Sequence, residues 1–135
     1  MHTTRKLRLN CIASCVVFLL CLVACKPRPA EMKLEQSTFD LGDVRFRDGI
    51  HHINVPFANV GDSTLIIKEI LTDCPCTTGT VNPKTYQKGG KGTIEIQLNL
   101  HSFFPDSIVK KVRVYTTSPL REYEEITLKC NLLSN

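Results

Sequence analysis

The chain has no tryptophan, and aromatic residues make up only 7% of its 135 positions. Beyond Met32 no apolar stripe recurs with the period of an amphipathic helix, which excludes a helical bundle. No glycine-rich segment ends in Gly-Lys-Ser or Gly-Lys-Thr. Lys88-Gly89-Gly90-Lys91-Gly92 lacks both that ending and a following helical pattern, so it reads as a hairpin turn and not as a phosphate loop. Nor is a nucleophile set beside a base, or a carboxylate pair placed for hydrolysis. Glu122, Glu124 and Glu125, at the start of the last apolar run, read as a solvated edge guarded by charge. Internal repeats and low-complexity blocks are absent as well.

The long apolar run that is present lies at the N-terminus. Arg5, Lys6 and Arg8 precede an apolar stretch from Cys11 to Ala24, which Lys26-Pro27-Arg28-Pro29 bounds on its far side. That run is shorter than the ~20 residues a spanning helix needs, and basic-then-apolar order is the pattern of an export signal. Its end, Leu22-Val23-Ala24-Cys25, resembles the bacterial lipobox, which implies removal of residues 1–24 and acylation of Cys25 as the first mature residue. Residues 25–31 are then expected to be the lipidated cysteine and an extended, solvated tether, and 32–135 the folded domain. A lysine directly after the cysteine resembles sorting to the outer membrane, and the basic tether resembles a periplasm-facing position rather than surface export.

Without Arg5, Lys6 and Arg8, the 17 Lys and Arg fall to 14, against 13 Asp and Glu. That balance carries no electrostatic footprint for nucleic acid. Four of the seven cysteines, Cys11, Cys15, Cys21 and Cys25, lie in the signal and its cleavage site, leaving Cys74, Cys76 and Cys130 for the domain. An odd number in a disulfide-permitting compartment leaves at least one thiol unpaired within the monomer.

From Met32 on, short runs alternate apolar with polar residues. Ile53-Val55-Phe57, Ile94-Ile96-Leu98-Leu100, Val112-Val114 and Ile126-Leu128-Cys130-Leu132 each place one face inward, and Cys130 should face the core as a buried thiol. Leu65 to Leu71 is more continuously apolar and is predicted to be a central strand. Gly42-Asp43, Arg47-Asp48-Gly49, Asn59-Val60-Gly61-Asp62, Lys88-Gly89-Gly90 and Ser118-Pro119 punctuate these runs. About seven short strands with regular turn signals predict an all-β, immunoglobulin-like β-sandwich. The last run reaches almost to Asn135, so function is expected of loops, edges or faces.

Three segments carry a family resemblance. Phe39-Asp40-Leu41-Gly42-Asp43-Val44, Val55-Pro56-Phe57-Ala58-Asn59-Val60-Gly61-Asp62-Ser63-Thr64-Leu65 and Asp73-Cys74-Pro75-Cys76-Thr77-Thr78 resemble, in order and spacing, the domain of unknown function 1573 family over about residues 35 to 132. The resemblance implies an Ig-like sandwich, often a lipoprotein of Bacteroidetes-type bacteria, related in architecture to major-sperm-protein and PapD-like domains. It brings no activity with it. Pro75 stands where the family usually has glycine, and Lys88-Gly89-Gly90-Lys91-Gly92 where an Ile-x-Pro-Gly-Glu type turn is common.

Cys74-Pro75-Cys76 is the sharpest local constellation. On a strand the two thiols would share a face, where thiolates could hold Cu or Zn with His51, His52 or His101 as further ligands, or act in redox chemistry. A bridge between them is awkward on a strand, where Cα atoms two apart sit about 6.6 Å from each other. The plainer reading makes them small buried apolar residues at a strand end, and a bridge from either to Cys130 is a further alternative. His51 and His52 would face opposite sides of a strand and read as a solvated pair beside a turn, though His52 matches a histidine frequent at this point in the family. The expectation is a non-enzymatic envelope module, held to the membrane by lipid and binding an unidentified envelope protein, with no cofactor beyond that lipid. The alternative is a thiol-based metal or redox protein; oligomeric state is not legible.

Overall fold

The computed structural model describes residues 26–134. They form two packed sheets, and the domain is an all-β sandwich of immunoglobulin-like architecture. Nine strands are described: β1 (Met32–Leu34), β2 (Thr38–Arg45), β3 (Ile50–Asn59), β4 (Leu65–Thr72), β5 (Thr77–Thr80), β6 (Thr85–Tyr86), β7 (Lys91–Asn99), β8 (Ser107–Thr116) and β9 (Tyr123–Leu133). One sheet has the order β1-β3-β7-β5, the other β2-β9-β8-β4-β6. The two strands beyond seven arise because chain segments switch sheets partway: β1 and β2 flank Glu35 to Ser37, and β5 and β6 flank the segment 81–84.

The alternating runs supply the core. Val55, Phe57, Ile94, Ile96, Leu98, Val112, Val114, Ile126 and Leu128 are all at most 1% exposed, and Cys130 is 4% exposed in the same layer. Phe57 meets Tyr86 edge-on at 4.8 Å between ring centroids. Gly92 makes room for that pair, since a Cβ there would lie 2.6 Å from the Tyr86 ring and 2.7 Å from Phe57 Cζ.

Several local expectations fail for tertiary reasons. β9 lies between β2 and β8, but β2 pairs with it only from Thr127 on, so the glutamates at its start precede that pairing; Glu125 faces Lys111 at 2.8 Å and Glu124 faces Arg121 at 3.1 Å. β4 is not flanked closely on both sides, because β6 covers only Leu65 and Ile66, and a bulge between Ile67 and Glu69 shifts its alternation. Gly42 bulges β2 within the strand, at φ 64°, instead of ending it. Lys88-Gly89-Gly90 joins strands of different sheets and is therefore no hairpin.

The predicted tether is also shorter than expected. Residues from Arg28 on are clasped by the β3–β4 loop: Asp62 accepts from the Arg28 backbone N–H at 2.9 Å, Asp62 N–H donates to the Arg28 carbonyl at 3.1 Å, and Val60 N–H donates to the Glu31 carbonyl at 2.9 Å. Ala30 is 5% exposed and belongs to the core. Gly61 permits this approach, because a Cβ there would collide with the Pro29 carbonyl oxygen and lie 2.8 Å from the Glu31 nitrogen. Residues 1–25, with the predicted signal and Cys25, lie outside the described residues.

Candidate functional site

Cys74 and Cys76 lie in the turn between β4 and β5, where the chain crosses from one sheet to the other, and not on a strand. The turn brings their Cα atoms to 5.3 Å, inside the bridging range, and the two are joined as a disulfide. The awkwardness expected of an extended segment does not arise. Backbone hydrogen bonds hold the turn: Thr77 N–H donates to the Cys74 carbonyl at 3.2 Å and Asn99 N–H to the Cys76 carbonyl at 2.8 Å. The Thr72 hydroxyl lies 3.1 and 2.8 Å from the carbonyl oxygens of Cys74 and Thr77, and Arg113 pairs with Asp73 at 3.0 Å. Cys76 is buried and Cys74 half-buried.

Cys130 takes no part in that bridge. It is a free thiol in the core, and burial, with the nearby Asp40 carboxylate, pushes its pKa up. The histidines separate as strand geometry requires. His52 is exposed on β3 opposite Gln97, while His51 turns inward opposite Leu98. His51 is thus half-buried and not solvated as expected, and its Nε2 is buried without a hydrogen-bond partner. The alternation Ile53, Val55, Phe57 extended backwards reaches His51 and extended forwards reaches Asn59, which was the available signal for both. Among the described residues no group of three or more His, Cys, Asp or Glu is arranged to hold a metal ion. While bridged, Cys74 and Cys76 offer no thiolates as ligands.

Asn59 is fully buried and organises the opposite end of the sandwich. Its carboxamide donates to the carbonyls of Ser63 at 2.8 Å and Tyr86 at 3.1 Å, and accepts from Gly61 N–H at 3.1 Å and Glu31 N–H at 3.4 Å. Beside it, the Lys88 ammonium at 2.8 Å and the Arg28 N–H hold the Asp62 carboxyl well below the usual carboxylate range.

Two strand edges lie open side by side. Ile67 N–H reaches the Lys84 carbonyl at 2.8 Å, but from Lys68 to Thr72 no strand among the described residues pairs with that side of β4. Among the described residues β5 pairs with β7 alone. Between the two edges is a cleft of about 360 Å³ with Ile67, Ile70, Gly79 and Val81 in its lining and Lys68, Glu69 and Lys84 around it. Gly79 leaves space for Ile70, whose Cγ2 would sit 2.6 Å from a Cβ at that position.

The model of a family described as "Protein of unknown function (DUF1573)" matches residues 32–132. No curated protein matches. Among solved structures, a protein of unknown function from Porphyromonas gingivalis W83 is similar at 20% identity and a TM-score of 0.69, over 81% of this chain and 50% of that one, so the chain spans about half of its length. The PapD-like domain 7 of human CEP192 is similar at 7% identity and a TM-score of 0.57, over 84% of this chain and 92% of that domain. The periplasmic chaperone SfaE is similar at 13% identity and a TM-score of 0.55, over 76% of this chain and 57% of that one. At such identities these likenesses show the fold alone.

Proposed function

The chain belongs to the DUF1573 family of unknown function, and on that premise we propose that it is a non-enzymatic, lipid-anchored module of the bacterial envelope that binds another envelope protein through an open strand edge. The observation that carries this reading is the pair of neighbouring edges on β4 and β5. Each presents backbone donors and acceptors with no partner strand among the described residues, and the cleft between them is lined by Ile67, Ile70 and Val81. An extended segment laid there would gain main-chain hydrogen bonds from the edge and side-chain pockets from the cleft. Lipid on Cys25 would hold the domain at the outer membrane, facing the periplasm, and the several chains of a bacterial lipoprotein make such anchoring firm.

Position-specific photocrosslinking in the native envelope tests this. A crosslinker at Thr80 or Leu71, beside the open edges, is expected to give the same discrete adduct, whereas one at Gln97, inside the β3-β7-β5 sheet, gives none. A charged Thr80→Lys edge should abolish the Leu71 adduct. Adducts that do not depend on position would refute edge recognition.

A second reading rests on the disulfide between Cys74 and Cys76, which supports thiol redox work over metal binding. It requires that a dithiol open the bridge in the folded domain and that the opened pair reduce a second disulfide. A bridge that stays closed until the domain unfolds would exclude it.

A further inference from the structure

The end of the sandwich where Arg28 docks has an uneven division of charge. Three ion pairs sit there, and in each the cation is outermost: Arg28 is 66% exposed against 22% for Asp62, Lys88 is 68% exposed against the same Asp62, and Arg121 is 66% exposed against 15% for Glu124. The pairs made from β8 are far less layered, with Lys111 and Glu125 at 46% and 31%, and Arg113 and Asp73 at 37% and 38%. Lys26 adds a further exposed cation, and Glu122 an exposed carboxylate in the β8–β9 turn. Leu120 projects from that same turn, 54% exposed.

We propose that this end is a phospholipid-contacting face: Arg28, Lys88 and Arg121 meet headgroup phosphates, Leu120 enters the interface, and the sandwich stands upright on the bilayer. The inference rests on acylation of Cys25. Clasping of Arg28 by Asp62 leaves only three residue steps from Cys25, a reach of at most about 10 Å. That is about one Debye length at physiological ionic strength, so the outer cations are held where a negative surface is felt. Cations around an exposed leucine complement phosphate outside and hydrocarbon within, and a basic patch beside an acyl chain adds a second membrane signal. β3 runs ten residues from Asn59 at this end to Ile50 at the other, so the opposite end stands about 30 Å further out. Phe46, Ile50 and Phe104, exposed at that far end, and the Cys74–Cys76 turn are thereby turned away from the membrane.

The test uses the full chain, processed in cells and reconstituted into phosphatidylethanolamine–phosphatidylglycerol vesicles carrying a headgroup nitroxide quencher, with a fluorophore at Leu120→Cys or at Phe104→Cys. Strong quenching at position 120 with none at 104 is expected. Arg28→Glu, Lys88→Glu and Arg121→Glu together should abolish the quenching at 120 while the protein still sediments with the vesicles. Sedimenting protein with equal quenching at both positions, or quenching at 120 that survives the charge reversal, would overturn the contact face and leave the anchor standing. Protein whose intact mass shows no acyl group and which does not sediment would overturn the anchor and the face together.

Discussion

The Asp62 carboxylate accepts from both the backbone N–H of Arg28, at 2.9 Å, and its side-chain Nε, at 3.5 Å, so one loop residue sets where the N-terminal segment joins the sandwich. Because Lys88 and Arg28 lower the folded-state pKa of Asp62, its contribution is present above the unfolded value near 3.9 and is lost as pH falls below it. Amide protection at Arg28, Ala30 and Glu31, taken relative to intrinsic exchange, should fall below about pH 4, and Asp62→Ala should lower it at pH 7 while protection in β7 and β9 stays high. Unchanged protection at those three amides would contradict the clasp.

Asn59→Ala should cost far more than an exposed substitution. It strips partners from the buried Tyr86 carbonyl and Gly61 N–H and, in half-buried bonds, from the Ser63 carbonyl and Glu31 N–H. At about 1–3 kcal/mol per orphaned buried group, and with some of them regaining water, a loss of roughly 2–4 kcal/mol in urea denaturation is expected. A loss within ~0.5 kcal/mol would show that the carboxamide is not the keystone of that end.

Gly92→Ala places a methyl against the Tyr86 ring and Phe57 Cζ, which already meet edge to face. Overpacking of this kind costs about 1–3 kcal/mol and should lower Tm correspondingly. The tyrosine hydroxyl, which donates to the Pro83 carbonyl at 2.6 Å, limits how far the ring can retreat. A neutral result would mean that the segment around Pro83 yields.

The three thiols of residues 26–134 should divide two to one. Intact mass under non-reducing conditions is expected to show one disulfide, and alkylation to reach Cys130 only in denaturant, since its thiol is buried and its thiolate disfavoured. With its folded pKa raised, Cys130 contributes stability intact below about pH 9 and lost above it. Cys74→Ser with Cys76→Ser closes no long loop and should cost only about 1.5 kcal/mol or less. A label on Cys130 in the folded protein would refute its burial.

How far each element was legible follows from what carries its signal. Ile94, Ile96 and Leu98, like Ile126, Leu128 and Cys130, announce their inward face locally, because a strand's period of two is written in consecutive residues and needs no partner to be read. The thiol pair was visible as residues, but its bridge was not: the expectation rested on strand spacing, while the turn that brings the Cα atoms to 5.3 Å exists because β4 and β5 belong to different sheets. Arg28 and Pro29 read as a solvated tether because proline and charge usually mean one, and their clasp depends on Asp62, 34 positions away.

The sequence by itself determined the two-residue rhythm, hence an all-β sandwich, the inward phase of each long run and the family. Tertiary structure alone decided which strands end as edges, where the sheets exchange segments, and which charges lie outermost. Those properties depend on pairings between residues far apart in the chain. Antiparallel β3–β7 and antiparallel β8–β9 are built from alternating strands, as is the β9 that pairs in parallel with β2, and alternation says which face a side chain takes but not which neighbour it meets.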